Sequence, residues 1–263
     1  MESNPRISLI VPCYNEEANI VNGTLDRIAK FTQKDARFKE VLIVDDGSTD
    51  KSKKMIKDSY LPQYPKLKLI ENSHTGKAFA IITGIKESKY EQVMFSDFDL
   101  AAPIEESEKL IQGITEGYHV VIGSRNTNRE GAPLTRKILA LGFILTRNLL
   151  IGLHGIKDTQ CGFKIFDRNV ALEIIHKLQV FKEDHVITAP SVSAGFDIEF
   201  LFIAKRLGCR IKEVPVQWHH VKTERINFVK DAVETIRDIL NIRLNELSNK
   251  YDFSKKNYIV DLL

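Results

Sequence analysis

Val41-Leu42-Ile43-Val44-Asp45-Asp46-Gly47-Ser48-Thr49-Asp50 changes character halfway along. Four apolar, mostly β-branched residues read as a strand buried on both faces. The acids, glycine and hydroxyls that follow read as a turn into a helix. The same unit recurs on either side. Ile7-Ser8-Leu9-Ile10-Val11 gives way to Pro12-Cys13-Tyr14-Asn15-Glu16, and Val93-Met94-Phe95-Ser96 to Asp97-Phe98-Asp99. Further strands are expected over 66–70 and 119–122, the second running into Gly123-Ser124-Arg125. Segments 16–31, 49–59, 76–88 and 105–116 carry helical patterns. This alternation predicts an α/β chain, with a mostly parallel sheet covered by helices on both faces.

The second half is less regular. A helix is expected over 134–153 after a Gly/Pro loop, then a strand-like run over 161–166 and helices over 169–177 and 196–207. A strand over 209–218 precedes a long amphipathic helix over 226–247. No linker separates an independent second domain. The sequence divides as 1–225 and a C-terminal helix and tail, 226–263.

Composition narrows the class. The chain has 263 residues, 43% hydrophobic and 28% charged, which excludes a disordered chain and a collagen-like repeat. The net charge of +3 gives no reason to expect a nucleic-acid partner. It hides a local excess: residues 124–168 hold eight basic and three acidic side chains. Cys13, Cys161 and Cys209 form no CxxC pattern, so reduced thiols are expected rather than a zinc site or disulfide framework. Met1–Pro5 shows no basic and apolar leader, and the apolar run 138–153 is broken by Arg147 and two glycines. A cytoplasmic chain without a spanning helix is the expectation.

In such sheets ligands bind at the carboxyl ends of the strands. The acids at those ends are therefore the first candidates. On a strand end, Asp97 and Asp99 would face one way and share a hard divalent cation, Mg²⁺ or Mn²⁺. A lone D-x-D also fits a solvated turn; its position after a buried strand is what gives it weight. Asp45 and Asp46 could accept hydrogen bonds from a nucleotide's base N–H or ribose hydroxyl, where a helix cap is the plainer account. Tyr14 could be a stacking shelf, beside Asn15 as a helix cap and Glu16. Gly76-Lys77 is not a P-loop, but Lys77 could approach a phosphate. Arg125 follows a strand and Arg136-Lys137 opens a helix, both suited to phosphate. Asp158 and Asp197 are later acidic candidates. His219-His220 point opposite ways, so a shared metal is not expected.

The motifs Val11-Pro12-Cys13-Tyr14-Asn15-Glu16-Glu17, Val44–Asp50 and Asp97-Phe98-Asp99, in that order and spacing, resemble inverting family 2 glycosyltransferases of GT-A (Rossmann-like) fold. The runs Ile156–Phe166, Phe196-Asp197-Ile198-Glu199 and Val214-Pro215-Val216-Gln217-Trp218 look like the dolichyl-phosphate β-glucosyltransferase and polyprenyl-phosphate glycosyltransferase branch. The resemblance implies a nucleotide-sugar donor such as UDP-glucose, a bound Mg²⁺ or Mn²⁺, and a polyprenyl phosphate acceptor. Pro12, Tyr14, Glu16 and Asp45 would hold the nucleoside and Asp46 would support that loop. Lys77, Asp97 and Asp99 would serve the donor, the two acids also as metal ligands. Arg125 and Arg136 would hold phosphate, and Arg125 would stabilise the leaving group. Asp158 or Asp197 would orient the acceptor or take a proton.

It further implies a donor half over about 5–125 and an acceptor half over about 126–225. Members of the family with membrane segments carry them outside this core. Here attachment to the cytoplasmic face of a membrane is expected from 138–153, from 226–247, or from a membrane-protein partner; a homo-oligomer is the other expected assembly. Transfer of mannose or N-acetylglucosamine, transfer to a polysaccharide or protein hydroxyl, and a non-enzymatic subunit stay open as alternatives.

Overall fold

A computed structural model describes residues 4–125, 134–182, 194–219 and 228–253; the side chains of 134–141, 143, 194 and 228–232 lie outside that description. In chain order the elements are β1 (Ile7–Cys13), α1 (Glu17–Val21), α2 (Thr24–Lys34), β2 (Phe38–Asp45), α3 (Ser52–Met55), β3 (Leu67–Glu71), α4 (Lys77–Glu87), β4 (Gln92–Phe95), α5 (Ser107–Thr115) and β5 (Val120–Arg125). There follow α6 (Leu134–Ile151), β6 (Lys164–Asp167), α7 (Arg168–Lys177), α8 (Ala194–Arg206), β7 (Ile211–Val216) and α9 (Phe228–Leu247).

The strands form one sheet in the order β3-β2-β1-β4-β6-β5-β7. β1 runs parallel to β2 and β4, β2 to β3, and β5 to β7. β6 alone is reversed, antiparallel to both β4 and β5. The carboxyl ends of the parallel strands therefore share an edge with the amino end of β6. Polar residues distant in sequence converge there for that reason.

Side chains alternate across the sheet, and both faces are dry. Ile10, Leu42, Val44, Phe95 and Ile122 pack with α4, α7, α8 and α9. Leu9, Val11, Val41, Ile43, Met94 and Val121 pack with α2 and α5 on the other face. Each such burial is worth roughly 1.5–3 kcal/mol, so this three-layer core holds the loop-built edge in place. α4 lies so close to β1 that a Cβ on Gly84 would overlap the Ile10 side chain.

The α/β class and the mostly parallel sheet are as expected, while several element boundaries differ. The helix expected over 16–31 is two, because Gly23 turns with φ +82° between α1 and α2. The one expected over 49–59 starts only at Ser52 and widens into a π turn over Ile56–Tyr60, because Ser48–Lys51 bond to the β1–α1 loop instead. Asp97 and Asp99 lie beyond β4, in a turn that Leu100 closes at φ +51°, and not in a strand where i and i+2 align. Cys161–Phe163 is irregular, and β6 begins at Lys164.

The basic run 124–168 does not make one patch. Arg147 is buried, donating to the Ile156 carbonyl, and burial lowers its pKa. Lys164 is buried beneath the sheet edge, and Arg168 donates to the Ser88 carbonyl at 2.7 Å. Arg136 stands in the first turn of α6 with its side chain outside the described residues, as Arg129 is entirely. Among the described residues no helix is long and apolar enough to cross a membrane.

Candidate active site

The β1–α1 and β2–α3 loops are tied into one platform. Asn15 adopts φ +52°, a left-handed conformation that asparagine tolerates, and its Oδ1 accepts the Thr49 N–H at 2.8 Å. Its own N–H donates to Ser48 Oγ at 2.9 Å, and the Glu16 N–H to Ser52 Oγ at 2.7 Å. Asn15 thus ties the two loops together.

Beneath the platform the two neighbouring acids divide the work. Asp45 is fully buried and takes the Ser48 N–H at 3.2 Å, so here it props the turn from below. Asp46 fastens the β3–α4 loop, accepting from the N–H groups of Thr75 (2.9 Å) and Gly76 (2.8 Å) and meeting His74 Nδ1 at 2.8 Å. The resemblance implied that Asp46 supports its own loop; the bonds it makes here go to the β3–α4 loop. His74 was not foreseen: its ring stacks on Tyr14 with centroids 4.2 Å apart and planes 13° apart. Nothing in the spacing of a histidine three residues before Lys77 signals this contact. It fixes the Tyr14 ring as a shelf beside the half-buried Pro12.

At the centre lie Asp97, Asp99 and Lys77. Lys77, at the first turn of α4, pairs with Asp97 Oδ1. Burial works to lower the Lys77 ammonium, yet the charges of Asp97, Asp197 and Asp99 hold it above its ordinary value. Asp99 accepts the Ala101 N–H at 3.0 Å, and its carboxyl is pushed up, by burial first and then by Asp97. Two carboxylates whose charges oppose one another are a fitting hard-oxygen donor pair for a dication. Among the described residues no group of three or more His, Cys, Asp or Glu could hold a metal alone. Water and phosphate oxygens would complete such a shell, as Mg²⁺ prefers. Gly162 lies directly on this pair, where a Cβ would overlap the Asp97 carboxylate.

A second group closes the other side. Arg125 at the end of β5 grips Asp158 through Nε and Nη2, each at 2.7 Å, and donates its backbone N–H at 3.0 Å. Burial alone would raise Asp158, but Arg125 holds it below the usual carboxylate range. The Asp158 N–H donates in turn to Glu213 at 2.8 Å, and Arg125 sits over the Trp218 ring at 5.8 Å. Lys164 donates to Asp197 Oδ1 at 2.7 Å and lies 5.3 Å from the centre of the Phe95 ring. Asp197 sits in the first turn of α8; two residues on, Glu199 turns away and gathers the N–H groups of Gln179, Val180 and Phe181.

The structure thus brings Pro12, Tyr14, Glu16, Asp45, Asp46, Lys77, Asp97, Asp99, Arg125, Asp158 and Asp197 to one edge. Sequence reasoning missed His74 and Gly162, and it counted Lys164 only as one cation in a basic run. The reversed strand makes Gly162 and Lys164 neighbours of Asp97 and Asp197, which a linear reading does not show.

The chain was compared with known proteins. It is 34% identical over 250 residues to a dolichyl-phosphate beta-glucosyltransferase of Trichomonas vaginalis, covering 90% of this chain and 73% of that protein. It is 31% identical over 271 residues to the dolichyl-phosphate beta-glucosyltransferase of Saccharomyces cerevisiae, covering 95% and 78%. The fold resembles glucosyl-3-phosphoglycerate synthase from Mycobacterium tuberculosis, solved with Mn²⁺, UDP-glucose and phosphoglyceric acid. That likeness has a TM-score of 0.65 at 20% identity and covers 92% of this chain and 81% of the other. The family model described as Glycosyl transferase family 2 matches residues 8–175. Those residues run from β1 through the platform, the central acids and Arg125 to α7, and the chain is a glycosyltransferase belonging to family 2.

Proposed function

We propose that the protein moves glucose from UDP-glucose to a polyprenyl phosphate of the dolichyl type, at a membrane surface, giving a β-linked lipid phosphosugar. The names of the relatives support the sugar and the acceptor class. The observation that carries the acceptor reading is the state of the two candidate bases. Asp158 is engaged by three N–H groups of Arg125, and Asp197 by the buried Lys164. Neither is poised to take a proton from a hydroxyl. A phosphate monoester, with its second pKa near ~6, arrives largely ionised and needs no base.

In this reading Tyr14, propped by His74, carries the nucleoside along with Pro12 and Glu16, over a turn held by Asp45 and Asp46. Asp97 and Asp99 hold a Mg²⁺ or Mn²⁺, which supplies positive charge beside the diphosphate when bound. Lys77 is placed for a donor phosphate once Asp97 is otherwise engaged. Arg125, fixed by Asp158, offers its remaining N–H to phosphate, with Arg136 as a second acceptor contact. The donor half spans about 5–125 and the acceptor half about 126–225.

The test is incubation of purified protein with labelled UDP-glucose, Mg²⁺ and polyprenyl phosphate. Label should enter the organic phase, and Asp99→Ala should abolish it. Label that stays aqueous across a panel of nucleotide sugars overturns the reading.

A further inference from the structure

α9 is apolar on two faces, one buried and one exposed. Its inner face buries Thr235, Ile239 and Ile242. Its outer face exposes Val233, Ile236, Leu240, Leu244 and Leu247, the last 67% accessible. At ~3.6 residues per turn these five fall within an arc of roughly 80° and extend over about 20 Å. Leu145 and the 83% accessible Leu149 of α6, the neighbouring helix, are also exposed. A surface helix that shows water a stripe of this kind has a partner.

The charges beside the stripe say which partner. A cavity of about 430 Å³ opens between the carboxyl ends of α6 and α8 and the flank of α9. Leu149, His154, Lys205, Arg206, Arg243 and Glu246 line it. Among the described lining residues Glu246 is the one acid, and it is shared by Arg206 at 3.4 Å and Arg243 at 2.5 Å. Lys205 donates to the His154 carbonyl at 3.2 Å. Three fixed cations thus face one carboxylate at the border of the leucine stripe. An anionic lipid surface complements both features, taking the leucines among its acyl chains and the cations at its phosphates.

We infer that the outer face of α9 and the exposed leucines of α6 dock on an anionic lipid bilayer, with a phospholipid phosphate seated in the cavity by Lys205, Arg206 and Arg243. This deepens the proposed function and rests on it only for the orientation. α6 begins beside Arg136 and ends at the cavity, so an acceptor phosphate at one end and a headgroup at the other would share one plane.

The experiment is sedimentation of the full chain with vesicles, without donor or acceptor. Phosphatidylcholine vesicles are compared with a phosphatidylcholine–phosphatidylglycerol mixture at physiological salt. The mixture should bind at least about tenfold more tightly. Leu240→Ser with Leu244→Ser should lose binding to both. Lys205→Gln with Arg243→Gln should lose most of the preference for the anionic mixture. Circular dichroism and thermal melting should match the parent for both variants, since all four side chains are at least partly exposed. No binding to either vesicle, or leucine variants that bind as well as the parent, overturns the inference. So does a dimer by light scattering that Leu240→Ser dissociates. Turnover of a short, water-soluble prenyl phosphate separates the two readings. Variants that keep it while leaving vesicles fail only in docking, and a parent that binds vesicles but turns over no prenyl phosphate fails only in the proposed function.

Discussion

Arg125 and Asp158 meet prong to prong, Nε on Oδ2 and Nη2 on Oδ1, both at 2.7 Å, with the Arg125 backbone N–H closing on the same carboxylate. The pair fixes where the guanidinium points. Arg125→Lys keeps the charge and loses the fork, and should lower kcat/KM about a hundredfold. Asp158→Asn should fall in the same direction without changing the shape of the pH–rate profile. The double variant should be little worse than the poorer single one, because both remove one unit. A profile that loses its acid limb in Asp158→Asn would instead make Asp158 a base.

Asp99 carries the metal prediction. Asp99→Ala should abolish binding of Mn²⁺ measured by electron paramagnetic resonance, and chelation should abolish transfer until Mg²⁺ or Mn²⁺ is restored. The raised carboxyl sets the direction with pH. Protonation removes a ligand charge, so Mn²⁺ affinity should weaken as pH falls, beginning above the ordinary carboxylate range near ~4. Unchanged Mn²⁺ affinity in Asp99→Ala would refute the assignment.

Gly162 should be intolerant of a single methyl. Gly162→Ala forces the Asp97 carboxylate to rotate, and is expected to cost at least about tenfold in kcat/KM. Melting should change by no more than a few degrees, because the clash falls on a partly exposed side chain. Full activity in this variant would mean that Asp97 has another working position.

Asp238 on α9 gives a pH dependence of stability. Its carboxyl is pushed up to about 6, by burial first and then by Glu199 and Glu234. The folded state therefore favours the protonated form. The stability this contributes is fully present below the unfolded value near ~4 and is lost as pH rises through about 6. Asp238→Asn should raise stability at pH ~8 by about 1 kcal/mol, discounted for the group's partial exposure, and melting by about 3 °C. Below pH ~4 the gain should vanish; a gain that persists there would trace to something other than this carboxyl.

What the sequence made legible follows from how local each signal is. Val41–Val44 and Val93–Phe95 are buried on both faces, so an unbroken apolar run announces them, and the acids after them announce the edge. The tie from Asp46 to the β3–α4 loop left no local signal, because its partners His74, Thr75 and Gly76 lie 28 to 30 residues on. Lys164 left none either, because its meaning depends on a reversal of strand direction set by pairing with β4 and β5. The Tyr14–His74 stack is also invisible, since a ring contact between two loops leaves no periodicity. The break at Gly23 was masked by apolar residues that keep helical spacing across it. The second apolar face of α9 was lost in a pattern read as one stripe.

The reversed strand also makes a mechanical seam. β3, β2, β1 and β4 form one parallel block and β5 with β7 another, and within the described sheet they meet only through β6. That junction is short: four residue pairs join β6 to β4 and three join it to β5. Asp97 and Asp99 ride on the first block, and Arg125 on the second. The spacing of Asp97 and Asp99 from Arg125 is therefore fixed across one four-residue strand, and a two-residue slip in either register of β6 would carry the two groups about 7 Å past one another along the strands.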